Sequence, residues 1–231
     1  MGSPEELGRE VTSAPRRFAR RAPSKVDKTR WVDIRITDMV AADAAWWDAR
    51  LGPKHARIRS RADRLWAWSV LLPTCHLVQL AQRRHCRPLV IWARDDGRRF
   101  LRVGMSILIE RYPYLDASRA VDSNFVWFIS AADPDVLQSE FNMGDPPALG
   151  RVLLDNAIVL SQNAGLEGRI GLHAAAAGGQ ALLNVYRRCG MTRLAATAAL
   201  PPRIRRKNDG RFFVADESQA ESLAALLDPS R

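Results

Sequence analysis

Apolar and polar residues alternate from Val32 to Asp38 (VDIRITD), which predicts a half-exposed first strand. A short helix follows over AAWWDAR with Asp43 as its cap, then a longer one from near Arg61 carrying Leu65, Trp66, Trp68 and Leu72. Pro73 should interrupt that helix, which resumes through HLVQLAQRR. The run PLVIWARDDGRRFLRVGMSILIE predicts a hairpin turning at Asp96-Gly97. Asn124 to Asp133 (NFVWFISAAD) is almost continuously apolar, the signature of a central strand covered on both faces. Helix periodicity returns over 151–163 and ends at Gly165. A strand at Arg169 to Ala174, a helix at Ala181 to Arg188 capped by Gly190, and a hairpin turning at Asn208-Asp209-Gly210 complete the pattern.

Composition narrows the class. The chain has 231 residues, 47% of them hydrophobic, enough for a substantial core. No apolar run approaches the ~18 residues of a membrane span, and no apolar segment of a signal peptide opens the chain. Three cysteines without C-x-x-C spacing argue against a disulfide framework or a zinc site and for a reducing cytoplasm. Formal net charge is +10. Residues 1–30 hold eight Lys or Arg against four acids, with Pro4, Pro15 and Pro23 breaking any periodicity. They predict a mobile basic arm ahead of a single domain at 31–231, suited to nucleic acid or an acidic partner.

The most informative stretch is Ala148 to Ala174 with Tyr186 to Met191 beyond it. A glycine turn opening a helix is a phosphate-binding arrangement. The first backbone N–H groups of the helix lack partners, its dipole adds positive charge, and Gly150 lets a ligand close to the backbone.

ALGRVLL, RIGLHA and Y-x-x-x-G-M resemble the acyl-CoA-binding half of the GNAT N-acetyltransferase superfamily. The superfamily's phosphate loop reads (Gln/Arg)-x-x-Gly-x-(Gly/Ala). Aligned on Gly150, this chain places Asp145 and Ala148 at the first two marked positions, so only the last matches. Downstream, Tyr186 stands four residues before Gly190, with Met191 in the usual Phe place, and Gly179 stands where the family has an Asn. The resemblance implies an α/β (α+β) fold: a mixed, mostly antiparallel sheet flanked by helices, with a splayed strand pair forming an acyl-CoA cleft.

It further implies acetyl-CoA as co-substrate without a metal, an amine as acceptor, and dimerisation as is common among such domains. Pantetheine would lie along Ile129, Ser130 and Ala131, and pyrophosphate over Ala148, Leu149, Gly150, Arg151 and Val152. Tyr186 would protonate the departing thiolate, a role that suits a neutral phenol.

Other candidates are weaker. Glu110 and Asp133 are the nearest carboxylates to serve as general base, each at a strand end. His173 lies on a strand beside the expected cleft. His55, His76 and His85 show no metal-ligand spacing. Trp46, Trp47, Trp66 and Trp68 read first as core. SEFNMGDPP lengthens the connection ahead of the phosphate turn, and Pro146 and Pro147 supply no N–H. These departures keep a second reading open: a catalytically degenerate scaffold whose basic arm and RIRRK segment contact nucleic acid or a partner.

Overall fold

The computed structural model describes residues 17–95, 99–116, 118–202, 204 and 207–231. Its elements in order are β1 (Arg21–Pro23), β2 (Trp31–Asp38), α1 (Ala41–Arg50), α2 (Gly52–Arg57), α3 (Trp68–Gln82), β3 (Cys86–Arg94), β4 (Phe100–Pro113) and β5 (Asp122–Ala131). Then come α4 (Pro134–Phe141), α5 (Leu149–Asn163), β6 (Ile170–His173), α6 (Gly179–Arg188), β7 (Thr192–Arg193), β8 (Phe212–Ala215) and α7 (Glu217–Ala225). The strands form one sheet in the order β1-β2-β3-β4-β5-β6-β8-β7. Every pair is antiparallel except β5–β6, which is parallel. This is the mixed, mostly antiparallel sheet flanked by helices that the resemblance implied.

Alternation along the strands sorts the core into two layers. On β8, Phe212 and Val214 join the cluster built on Trp47, Leu51, Trp68 and Leu72 of the α1–α3 region. Phe213 and Ala215 join Leu154, Ile158, Leu183 and Leu223 of α5, α6 and α7.

Several elements differ from the pattern in the sequence. The second helix begins at Trp68, not near Arg61, because the Asp48 carboxylate of α1 accepts the N–H groups of Trp68 and Ser69, both at 2.8 Å. It runs unbroken through Pro73. Pro73 is the sixth residue of this helix, inside it, where its ring removes one ladder bond, to Ser69 O. Asp43 lies inside the first turn of α1, where its carboxylate accepts the Val40 N–H at 3.0 Å. The Asp96-Gly97 turn lies outside the described residues, although β3 and β4 pair as the predicted hairpin.

Helix α4 takes in the first three of the nine residues of the expected inserted loop, Ser139 to Phe141, and Asp133 caps it by accepting the Asp135 N–H. β8 pairs with β6 and β7; of the RIRRK segment expected to form the hairpin, Arg203, Arg205 and Arg206 lie outside the described residues. Helix α7 had a legible signal: Asp216 and Gln219 cap each other reciprocally.

The largest correction concerns the arm. Residues 1–16 lie outside the described residues, but 17–30 belong to the domain. Ala22 pairs with Val32, Arg20 O accepts the Ile34 N–H, and Ala19 and Ala22 are buried. The Arg231 guanidinium ties this segment to α5, donating to Arg17 O and bidentately to the buried Asp155. Pairing at a sheet edge is made by backbone groups, so prolines and charges between them did not forbid it. Ala22→Glu should bury an unpaired carboxylate and cost several kcal/mol, about 10 °C of melting temperature for a chain of this size. A circular-dichroism melt checks this; an unchanged melting temperature would restore the mobile-arm boundary at residue 30.

Candidate functional site

The site originates in one irregularity of β5. Ile107 pairs with Phe128 and Leu108 with Val126, so Trp127 is an extra residue without a partner on β4. Such a bulge bends its strand and increases its twist. On its other edge β5 pairs with β6 only from Asn124 to Val126. Beyond that point the strands part, and Trp127 to Ala131 have no strand beside them on that edge.

A cavity of about 550 Å³ occupies the gap. Its walls include Trp127 to Ala131, His173, Tyr186 of α6, and Arg61, Asp63 and Trp66 from the segment between α2 and α3. Ile129, Ser130 and Ala131 therefore meet Tyr186 in one cavity. Gly178 allows the close packing here, because a Cβ would stand 2.6 and 2.7 Å from Leu182 and 3.2 Å from the Ala62 Cβ of the α2–α3 segment. Gly179 adopts φ 54° and ψ −153°, a conformation open essentially to glycine.

Asp63 is the electrostatic centre. Its carboxylate accepts Arg61 Nε at 2.9 Å and a second Arg61 nitrogen at 2.6 Å, and it also accepts the Ser130 hydroxyl. Arg61 donates further to Ala131 O at 2.5 Å and lies 3.9 Å from Asp133. Arg61 and Asp63 thus tie the loop to the open edge of β5. Neither was singled out in the sequence, where both fell in a stretch with helical periodicity.

Beneath them the buried His55 has its Nδ1 3.8 Å from Asp63, and its Nε2 has no hydrogen-bond partner. Burial first, then the Arg61 charge, pushes the His55 pKa down to about 4, against the opposing pull of Asp63 and Asp133.

Tyr186 is 7% exposed. Its ring packs on Phe213 with centroids 5.4 Å apart, and its hydroxyl has no hydrogen-bond partner among the described residues. Burial chiefly, with smaller contributions from Cys189 and Asp63, pushes its pKa up. The phenol therefore stays protonated at neutral pH.

The other candidates disperse. Glu110 sits 3.4 Å from His85, and neither lines the cavity. Asp133 caps α4. Trp47 and Trp68 are core, Trp46 stacks near Phe141, and of the four early tryptophans Trp66 alone reaches the cavity, edge-on to Phe128 at 5.0 Å. Burial raises the Cys189 thiol pKa against the charges of Arg151 and Arg188, so this cysteine is unsuited to act as a thiolate. No metal-ligating cluster occurs among the described residues.

The phosphate turn lies apart from this cavity; none of residues 148–152 lines it. The N-terminal segment clasps the turn. Ala148 N–H donates to Pro23 O at 2.7 Å, Lys25 N–H donates to Pro146 O at 2.8 Å, and Ser24 bridges to Pro147. The Ser24 hydroxyl bonds Asp145, which Arg30 approaches to 3.4 Å. The Ala148 donor is thus engaged, and Val152, four residues into the helix, bonds within it. Leu149, Gly150 and Arg151 keep first-turn N–H groups without a side-chain cap, and Gly150 and Arg151 are exposed. The turn thus keeps three first-turn donors that no side chain caps.

A scan against protein-family models finds no match, and a search of curated proteins finds none. Among solved structures, the chain is similar to the apo form of FdhC, a nucleotide-linked sugar GNAT. The TM-score is 0.50 at 7% identity, covering 90% of this chain and 96% of that one. It is also similar to spermidine N-acetyltransferase from Vibrio cholerae in complex with CoA and spermine, with TM-score 0.46 and 14% identity over 81% and 98% of the two chains. A GNAT superfamily phosphinothricin acetyltransferase from Sinorhizobium meliloti, in complex with AcCoA, gives TM-score 0.42 and 14% identity over 79% and 87%. The fold of this chain is the GNAT fold.

The depressed His55 pKa makes stability pH-dependent. Below pH ~6.5 the unfolded imidazole takes up a proton that the folded one refuses until about 4. The contribution is intact above 6.5 and is lost as pH falls towards 4, by ~3 kcal/mol in all. Melts between pH 8 and 5 should show the decline, and His55→Leu should flatten it. A parallel decline in the variant would assign it to other groups.

Proposed function

We propose that the protein is an acyl-CoA-dependent N-acyltransferase that moves acetyl from acetyl-CoA to an amine. The observation that carries this reading is the cavity in the splayed β5–β6 pair, with Tyr186 on its wall. A thioester arm laid in the gap meets the open edge of β5, which offers backbone groups as an extra strand would. The protonated, cavity-lining Tyr186 phenol is suited to donate to the departing thiolate. The open donors of Leu149 to Arg151 would hold the pyrophosphate.

The acceptor is an amine whose class these features leave open, from small molecule to protein amine or aminoacyl-tRNA. A homodimer and a cytoplasmic setting belong to this reading as expectations. No helix among the described residues is long and apolar enough to cross a membrane.

The clasp favours a second reading, in which the fold is a binding scaffold. Pro23 O takes the Ala148 N–H that a phosphate would need, and a net charge of +10 suits a polyanionic partner. A melting screen with acetyl-CoA, CoA and longer acyl-CoAs separates the two. Stabilisation of a few kcal/mol at ligand well above Kd supports the transferase. Salt-sensitive nucleic-acid binding with no response to CoA supports the scaffold.

Two variants refine the first reading. Gly150→Asp meets no atom within 4 Å of its new Cβ, so the fold should survive while the added carboxylate repels the pyrophosphate. Full CoA stabilisation in this variant would place the phosphates elsewhere. Tyr186→Phe should keep CoA affinity and slow transfer by ~10²-fold, the low end for a lost general acid. Unchanged turnover would remove Tyr186 from the chemistry.

A further inference from the structure

The cavity holds a second proton-transfer group. His173, the last residue of β6, lines it, and the His173 Nε2 lies 3.0 and 3.1 Å from the two Asp209 oxygens. Nδ1 has no partner among the described residues. Asp209 is held by a built turn. Asn208 donates to Ala195 O and Ala198 O, both at 2.8 Å, and accepts the Gly210 N–H at 2.9 Å. Asp209 itself accepts the Arg211 N–H at 3.0 Å. Burial alone would raise the Asp209 pKa, but the hydrogen bonds from His173 and Arg211 hold it below the usual carboxylate value. A base whose far nitrogen is fixed by a carboxylate is the arrangement that orients an imidazole for proton transfer.

Its position across the sheet gives the arrangement its meaning. The His173 ring packs on Phe212 at 4.6 Å, and the Tyr186 ring packs on Phe213 at 5.4 Å. Phe212 and Phe213 are successive residues of β8, so their side chains leave opposite faces of the sheet. Phe212 pairs with His173 and clusters with Trp47, Trp68 and Leu72, as well as with Leu149 and Val152 at the start of α5; Phe213 pairs with Leu172 and clusters with Leu154, Leu183 and Leu223. The cavity between β5 and β6 is lined from both layers. His173 therefore lines the cavity from the Phe212 face of the sheet, and Tyr186 lines it from the Phe213 face. Displacement at a thioester needs this polarity: a proton acceptor where the nucleophile arrives and a donor where the thiolate leaves.

We propose that His173 is the base that receives the proton of the acceptor amine, with Asp209 as its positioning residue. This rests on the acyltransferase reading. The ammonium proton passes to Nδ1 and on to solvent. The freed lone pair forms the C–N bond at the thioester carbonyl. The C–S bond then breaks, and Tyr186 protonates the thiolate. The excess N–H proton leaves to solvent, from which the phenolate recovers its own. One proton is released per turnover.

The neighbouring charges leave Nδ1 available. Arg211 turns its guanidinium onto Ala174 O and Ala175 O, both at 2.7 Å, while Arg61 and Asp63 across the cavity are paired with each other.

The test uses the full chain, acetyl-CoA, and tyramine and spermidine as probe amines. His173→Gln should lower kcat by ~10²-fold, remove the acidic limb of the pH–rate profile, and leave the KM for acetyl-CoA and its thermal stabilisation unchanged. Asp209→Asn should give a smaller loss and displace the limb. Long-range proton–nitrogen spectra of the resting protein supply a readout free of turnover: neutral His173 should carry its proton on Nε2.

A proton on Nδ1, or a His173→Gln profile matching wild type, overturns the assignment and leaves the acyltransferase reading standing. A wild-type chain that neither binds acetyl-CoA nor acetylates either amine overturns both.

Discussion

One unpaired residue in β5 governs this molecule. Trp127 has no partner on β4, and past Val126 the strand leaves β6. Without that parting, β5 and β6 would continue as a closed parallel ladder and Tyr186 and His173 would face packed sheet. With it, the sheet is opened at its middle while its flanking strands stay paired. The opened backbone needs partners, and Arg61 supplies one by bonding Ala131 O. The cavity is thus a consequence of strand geometry, and its polar lining follows from the groups that the geometry leaves unsatisfied.

That lining carries its own constraint. Asp63 is buried, so its charge is tolerable only because Arg61 meets it bidentately and Ser130 donates to it. His55 sits close enough to feel both charges and is held neutral by burial. The group is a structural anchor between the α2–α3 segment and β5. It also leaves His173 as the imidazole in the cavity whose second nitrogen is unengaged.

The clasp on the α5 turn sets the remaining tension. Backbone bonds from Pro23 and Lys25 stabilise the edge of the domain, and the Pro23 carbonyl occupies the Ala148 N–H, one donor of the proposed pyrophosphate site. Three donors stay open beside an uncapped helix start. The proposed pyrophosphate site is therefore narrower than the glycine turn in the sequence suggests.

Sequence by itself determined the order of strands and helices wherever side-chain periodicity was strong: β2, the β3–β4 hairpin, the buried β5, and the run from α5 through β6 to α6. The resemblance also marked Tyr186 and residues 129–131, which line one cavity. Tertiary structure alone decided what depends on backbone pairing and on distant partners. β1 is an edge strand built from backbone bonds, and β8 lies between β6 and β7. The start of α3 was set by a carboxylate twenty residues away. Asp63, His55 and Asp209 showed no local pattern, since each acquires its role from a neighbour brought by the fold. The opposition of His173 and Tyr186 is of the same kind: it rests on which face of one strand each ring packs against, and only the assembled sheet defines those faces.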